Sequence, residues 1–396
     1  MPDLPVISRQ AARFFDGPAP IRSFFAPGRI NIIGEHLDYN GGYVFPAAIS
    51  LGIAGLVQDR EDRLIRLKSE GYEYEAVAHL DRVIARSPSR SWADYPLGAI
   101  KYLTEKGHEI HTGKNILYAS TLPREAGLSS SAAIEVLTAF MLAGDSIKTR
   151  DDRVRIARLM SDMETEWIGV RCGIMDQFTA VLGKRGHAIL LDSGTLSYEY
   201  VPLPAGTPRF VIMNSNRARE LSESKYNERR AECEEALASI RKRNPGARAL
   251  ALADSADLAL VQDGTLRRRA RHVLSEQRRV LESIAALRKG DFETFGSLLS
   301  ESHRSLRDDY QVTGTELDAL VSAAQDENCC LGARMTGAGF GGCALALIRG
   351  TEAAHFMERV GEKYHNATGL YADFYEFTPE NGACEIDSTR LGDWPR

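Results

Sequence analysis

With 49 Lys+Arg against 54 Asp+Glu, this 396-residue chain carries a formal net charge of −5, and 43% of its residues are hydrophobic. That length suggests two domains with a sizeable core, and the composition excludes disorder and collagen-like repeats. The near-neutral balance excludes nucleic-acid binding through bulk electrostatics, while leaving local anion sites open.

Reading from the N-terminus, Met1–Pro5 starts no basic-then-apolar leader, and no apolar run approaches the ~20 residues that span a bilayer. The text from Phe24 to Glu75 alternates β-like runs with turn residues. Leu51–Val57, Leu64–Leu67 and Tyr72–Val77 read as an antiparallel meander. A helix over Trp92–Lys106 and a strand over Asn115–Thr121 follow. A second helix comes after Gly127-Leu128, with Ala133, Val136, Leu137, Phe140 and Met141 on one apolar face. Helices fit Asp151–Trp167 and Met175–Leu182, and His187–Asp192 and Ser197–Leu203 read as paired strands. The prolines and glycine of Pro202–Pro208 mark a linker, dividing the chain into lobes 1–205 and 206–396. Beyond it come a strand at Arg209–Asn214 and charged helical text from Ser222 to about Arg307. An amphipathic helix carries Leu317, Leu320, Val321 and Ala324. Strands at Ala333–Thr336 and Cys343–Ile348, a helix at Glu352–Tyr364 and a closing strand at Ala372–Phe377 complete an α+β pattern without internal repeats. Six cysteines, two of them adjacent at Cys329-Cys330, form no disulfide framework. They point to reduced thiols in a cytoplasm.

Chemistry concentrates in four places. Pro27–Gly42 crowds Arg29, Glu35, His36, Asp38 and Asn40 into a glycine-rich turn after an apolar strand. So dense a set of donors and acceptors suits a polyhydroxylated ligand. Leu122–Ala133 places Gly127 and three serines at a helix mouth, where free N–H groups, the helix dipole and hydroxyls converge on an anion; one serine is accounted for as an N-cap, three are not. No Walker loop occurs. Gly337, Gly339 and Gly342 satisfy G-x-G-x-x-G, but strand-like text follows them, which excludes a dinucleotide fold and leaves a hairpin turn or a close-approach surface. Lastly, Glu164-Thr165-Glu166 precedes Gly173–Phe178, where Asp176 reads on its own as a helix cap.

Together and in this order, Gly28–Asn40, Gly127–Ala132, Gly173–Phe178, Ser224–Arg230 and Gly337–Gly342 resemble the GHMP small-molecule kinases, and within them the branch that phosphorylates galactose. The resemblance runs from about Phe24 to Phe377. It implies two lobes, the first ribosomal-S5-like and the second ferredoxin-like, with a site between them. It also implies transfer of the γ-phosphoryl of ATP to the C1 hydroxyl of galactose. Carried over by position, Asp176 is the base and Arg29 its partner, an arrangement that favours the charged carboxylate and stabilises the transferred phosphoryl. Ser131 and Glu164 match Mg²⁺ ligands. Glu35, His36, Asp38, Gly173 and Tyr226 match sugar contacts, with Leu37 among them. Ser69, Trp92 and Tyr95 match the nucleotide's surroundings, and Glu125, Ala126, Gly127, Leu128, Ser129, Ser130 and Ser131 the phosphate loop. The implied partners are a sugar and ATP, bound by a monomer that contacts neither nucleic acid nor membrane.

One position departs from the pattern: that branch usually carries Thr where this chain has Leu37. Related kinases of the N-acetylated sugar carry an aliphatic residue there, which makes a galactosamine or N-acetylgalactosamine kinase an alternative, but the Asn40-Gly41-Gly42 context favours galactose. A non-catalytic galactose and ATP sensor is the other alternative, and the unbroken Ser129-Ser130-Ser131 and Asp176 argue against it.

Overall fold

Alternating apolar residues and turn-formers build a strand-rich first half. The computed structural model describes residues 14–15, 19–87, 91–217, 222–350 and 352–387; Met1–Pro5 and the outer ends of the two expected lobes lie outside them. In chain order come β1 (Ile21–Asn31), β2 (Tyr43–Val44), β3 (Pro46–Asp59), β4 (Leu64–Ser69), β5 (Ala76–His79), α1 (Asp94–Glu105), β6 (Lys114–Ser120) and α2 (Ser130–Ala143). Next are α3 (Arg150–Met163), α4 (Met175–Leu182), β7 (His187–Asp192) and β8 (Tyr198–Pro202). The second half holds β9 (Arg209–Asn214), α5 (Ser222–Arg241), α6 (Gly264–Lys289), α7 (Phe292–Ser305), α8 (Thr315–Gln325), β10 (Cys330–Met335), β11 (Cys343–Ile348), α9 (Ala353–Thr368), β12 (Asp373–Glu376) and β13 (Cys384–Ile386). No described helix is long and apolar enough to cross a membrane.

The strands form a six-stranded sheet in the order β13-β1-β3-β6-β4-β5, a four-stranded sheet β10-β11-β9-β12 and a small sheet β2-β7-β8. The expected meander is therefore interrupted. β3 and β4 do not pair, because β6 lies between them, antiparallel to β3 and parallel to β4. Residues Asn115–Ala119 of β6 are buried on both faces, which suits the middle of a sheet rather than its edge. The strand expected at Tyr72–Val77 forms instead at Ala76–His79, and Tyr72 and Tyr74 pack beside Trp92.

Two expectations about continuity also change. The helix expected over Asp151–Trp167 is α-helical only to Met163, with a capping box of Thr149 and Asp152 at its start. A π turn, Glu164–Ile168, follows and brings Glu164 inward. The division at residue 205 sent the whole C-terminus to the second lobe, but β13 returns to pair antiparallel with β1. Around it, Glu380 N–H donates to Ala48 O and Ala383 N–H to Ala180 O. An unpaired β1 edge would expose backbone donors and acceptors, and the returning strand satisfies them.

Candidate active site

Between Pro27 and Arg29 the register of β1 against β3 slips by a bulge. Bulges re-aim side chains, and here Arg29 turns to meet Asp176 in the first turn of α4. Nε lies 2.8 Å from Oδ1 and Nη2 2.9 Å from Oδ2, a bidentate pair. Arg29 Nη1 also donates to Gly127 O at 2.7 Å, and its N–H to Leu128 O. Asp176 is thus no helix cap: α4 has no side-chain cap bond at its N-cap residue, Ile174. The second donor to Oδ2 is Ser129 Oγ, at 2.5 Å. Ser129, at the N-cap of α2 with φ +62°, likewise makes no side-chain cap bond. The serine that the sequence allows as a cap is spent on the carboxylate.

A cavity of about 230 Å³ opens beside this pair, lined by Arg29, Glu35, His36, Asp38, Gly173, Tyr226, Ser129, Ser131, Glu164 and Asp176, among others. Residues from β1, α2, α4 and α5 therefore converge there. Burial and the nearby negative charge of Asp176 push the Asp38 carboxyl up to about 7. Gly173 is glycine for a steric reason, since a Cβ there would sit 2.0 Å from Asp38 Oδ2. Burial also raises Glu35, whose oxygens are fully engaged: Oε1 accepts from Gly337 N–H at 2.6 Å and Thr336 Oγ1 at 3.2 Å, while Oε2 takes Asn31 Nδ2 and the Arg334 guanidinium. Leu37 is a correction. Its side chain is fully buried in the hydrophobic core and does not line the cavity, so it offers a sugar no contact.

A larger cavity, of about 1100 Å³, adjoins the first and shares Tyr95, Glu125, Ser130 and Ser131 with it. Ser69, Trp92, Tyr72 and Arg124 line it from the first half of the chain, Met357, Tyr375 and Glu376 from the second. The mouth of α2 stands at the junction, where the first N–H groups of a helix lack intrahelical acceptors and its positive dipole end favours anions. Of the expected phosphate loop, Ala126 and Leu128 bury their side chains in the core and line neither cavity. Gly127 O is occupied by Arg29.

The residues fit a Mg²⁺ ion. Burial raises the Glu164 carboxyl, Cys172 Sγ and Gln177 Nε2 donate to its Oε2, and Ser131 lines the same cavity. Among the described residues no group of three or more His, Cys, Asp or Glu could hold a metal unaided. Two hard oxygen donors beside a triphosphate-sized cavity suit a cation that takes its other ligands from phosphate and water.

Sequence reasoning missed Asn31, Thr336 and Arg334, which hold Glu35, and Gln177, whose Nε2 donates to both Glu164 and the buried Glu135. It also missed Met357, Tyr375 and Glu376, more than two hundred residues from the phosphate loop. The third motif forms the turn between the antiparallel strands β10 and β11, and of its glycines Gly337 lines the smaller cavity, with φ +84° and a Cβ position 3.1 Å from Gly127 O.

Residues 12–59 match the model of the galactokinase galactose-binding signature, 94–184 the N-terminal domain of GHMP kinases and 283–366 their C-terminal domain. The chain is 46% identical to a galactokinase of Enterococcus faecalis, covering 92% of this chain and 95% of that one. It is 44% identical to a galactokinase of Exiguobacterium sibiricum, over 94% and 95%. Its fold superposes on Lactococcus lactis galactokinase complexed with galactose with a TM-score of 0.91 at 40% identity, covering 97% and 100% of the two chains. A mevalonate kinase at 20% identity, covering 92% and 100%, shares the fold with a TM-score of 0.65. Matched along nearly its whole length in sequence and in fold, this chain belongs to the galactokinase family of GHMP kinases.

Proposed function

We propose that this chain is a galactokinase that transfers the γ-phosphoryl of ATP to the C1 hydroxyl of galactose, giving galactose 1-phosphate and ADP. The observation that carries the reading is the Arg29–Asp176 pair in the smaller cavity, among residues of the sugar signature, with the mouth of α2 joining that cavity to a larger, nucleotide-sized one. Galactose occupies the smaller cavity and ATP the larger, with the triphosphate at the mouth of α2.

Asp176 Oδ2 already accepts two protein hydrogen bonds and Oδ1 one, so Oδ1 is the oxygen with room for a sugar hydroxyl. There it accepts the hydroxyl proton as attack on phosphorus proceeds. Arg29 holds the carboxylate in place and stabilises charge on the transferred group. Phosphoryl transfer asks mainly for alignment and charge stabilisation, so a strong base is not needed. Ser131 and Glu164 would hold Mg²⁺, which supplies charge neutralisation on the phosphates when bound. Glu35 acts on the sugar site indirectly, by fixing the signature turn to Gly337.

All six cysteines are free thiols, which supports a cytoplasmic location. Nothing in the site favours an N-acetylated sugar, since Leu37 stands away from it. The test is ADP release coupled to NADH oxidation, with Mg-ATP and a panel of hexoses. Galactose-dependent turnover above the ATPase background is the expected result. Faster turnover of N-acetylgalactosamine, or none with any sugar, would overturn the reading.

A further inference from the structure

His36 has an unusual setting for a residue on a turn. Its backbone is left-handed, with φ +64°, and only 4% of its surface is exposed. The rings of Tyr310, Tyr226 and Tyr39 surround the imidazole at centroid distances of 4.6, 5.6 and 5.9 Å. Strain of this kind persists only where neighbours fix it, and it gathers at ligand sites.

The two ring nitrogens differ sharply. Nδ1 lies 2.8 Å from Tyr39 Oη, which lies 2.7 Å from Tyr310 Oη, which in turn lies 3.0 Å from Cys233 Sγ. Nε2 is buried and has no hydrogen-bond partner among the described residues. An unpaired buried polar atom costs about 1–3 kcal/mol, yet His36 lines the smaller cavity. A ligand there would supply the missing partner.

The chain of hydroxyls has two possible directions. If Nδ1 carried the ring proton, Tyr39 would donate to Tyr310 and Tyr310 to Cys233, ending on sulfur, a weak acceptor. In the opposite direction the weak S–H donor starts the chain, Tyr310 donates to Tyr39, and Tyr39 donates to an imidazole nitrogen, the best acceptor of the set. We infer that Tyr39 and Tyr310 are positioning residues that fix His36 in the tautomer with its proton on Nε2, so that His36 presents an N–H donor to a hydroxyl oxygen of galactose. The relay crosses between the lobes: Tyr39 belongs to the signature turn, and Tyr310 ends a π turn, Leu306–Tyr310, that follows α7. Burial, reinforced by His272, Arg229 and Arg334 and opposed by Glu276, holds the imidazole neutral, as a single-donor role requires.

The inference rests on the sugar reading of the smaller cavity, and its test separates the two. The protein is labelled with ¹⁵N-histidine, and His36 is assigned by comparison with His36→Gln. The expected spectrum without ligand shows an unprotonated Nδ1 and a protonated Nε2, and added galactose moves the Nε2 resonance. Tyr39→Phe and Tyr310→Phe are expected to mix the tautomers. Each is expected to raise KM for galactose by about five- to tenfold, the worth of one hydrogen bond, with kcat held within about twofold. A protonated Nδ1 in the unsubstituted protein overturns the inference. So does an unmoved Nε2 when calorimetry shows galactose bound, and that result leaves the sugar reading standing. Absence of galactose binding by calorimetry overturns both.

Discussion

The backbone N–H of Gly337 donates to Glu35 Oε1 across 2.6 Å, tying the glycine turn of the second lobe to the signature turn of the first. The same carboxylate pairs with Arg334, which is fully buried and whose Nη1 donates to Asn31 O and Ile32 O. One acid therefore sets the spacing between the two halves of the site. Glu35→Gln leaves the Arg334 charge without that counterion, and removing one member of a buried pair costs about 3–5 kcal/mol. Urea denaturation is expected to show a loss of that order, and a loss under 1 kcal/mol would mean that Glu276, 3.8 Å from Arg334, suffices as its partner.

Asp176→Asn keeps the side chain's shape while removing the proton acceptor. Loss of a general base lowers kcat by about 10²–10⁴-fold. Calorimetry is expected to show galactose and nucleotide still bound. A kcat within threefold of the parent would remove Asp176 from the chemistry.

Gly173→Ala introduces a Cβ that would lie 2.0 Å from Asp38 Oδ2, so the carboxylate must move. We expect KM for galactose to rise at least tenfold while KM for ATP changes little, because Gly173 lines only the smaller of these two cavities. Steady-state kinetics with each substrate varied in turn will decide it.

The Asp38 carboxyl is raised from 3.8 to about 7 in the folded protein. The native state then binds more protons than the unfolded chain between those values, so this group's contribution to stability falls as pH rises from about 4 to about 7 and stays low above. At about 1.4 kcal/mol for each pH unit of displacement, the upper bound is on the order of 4 kcal/mol. Asp38→Asn, neutral at every pH, is therefore expected to gain stability relative to the parent between pH 5 and pH 8 in ligand-free denaturation curves. A difference that does not change over that range would contradict the assignment.

Leu37→Thr restores the residue usual in the family at a site the structure places in the core. Burying a hydroxyl and losing apolar volume should cost about 2–3 kcal/mol. The ratio of kcat/KM for galactose over N-acetylgalactosamine is expected to stay within a factor of two. A larger swing would show that Leu37 shapes the sugar pocket through its neighbours.

Local sequence was enough to mark β9, α4 and β11 to the residue and to find the glycine- and serine-rich turns, because apolar periodicity and turn chemistry are written in neighbouring residues. Asp176 was singled out only by the family resemblance, since spacing alone offered a helix cap. Pairing across the chain was another matter. That β6 enters between β3 and β4, that β13 returns to β1, and that Arg334 reaches Glu35 depend on which buried surfaces close on each other, and no window of sequence holds both partners. Leu37 shows the same limit at one residue. Its place in the motif suggested a part in choosing the sugar, and its side-chain direction, set by the turn that follows β1, put it in the core instead. The charge of −5 excluded a broad polyanion surface, while the anion-binding groups were assembled locally, by a bulge that aims Arg29 and a helix that starts at Ser130.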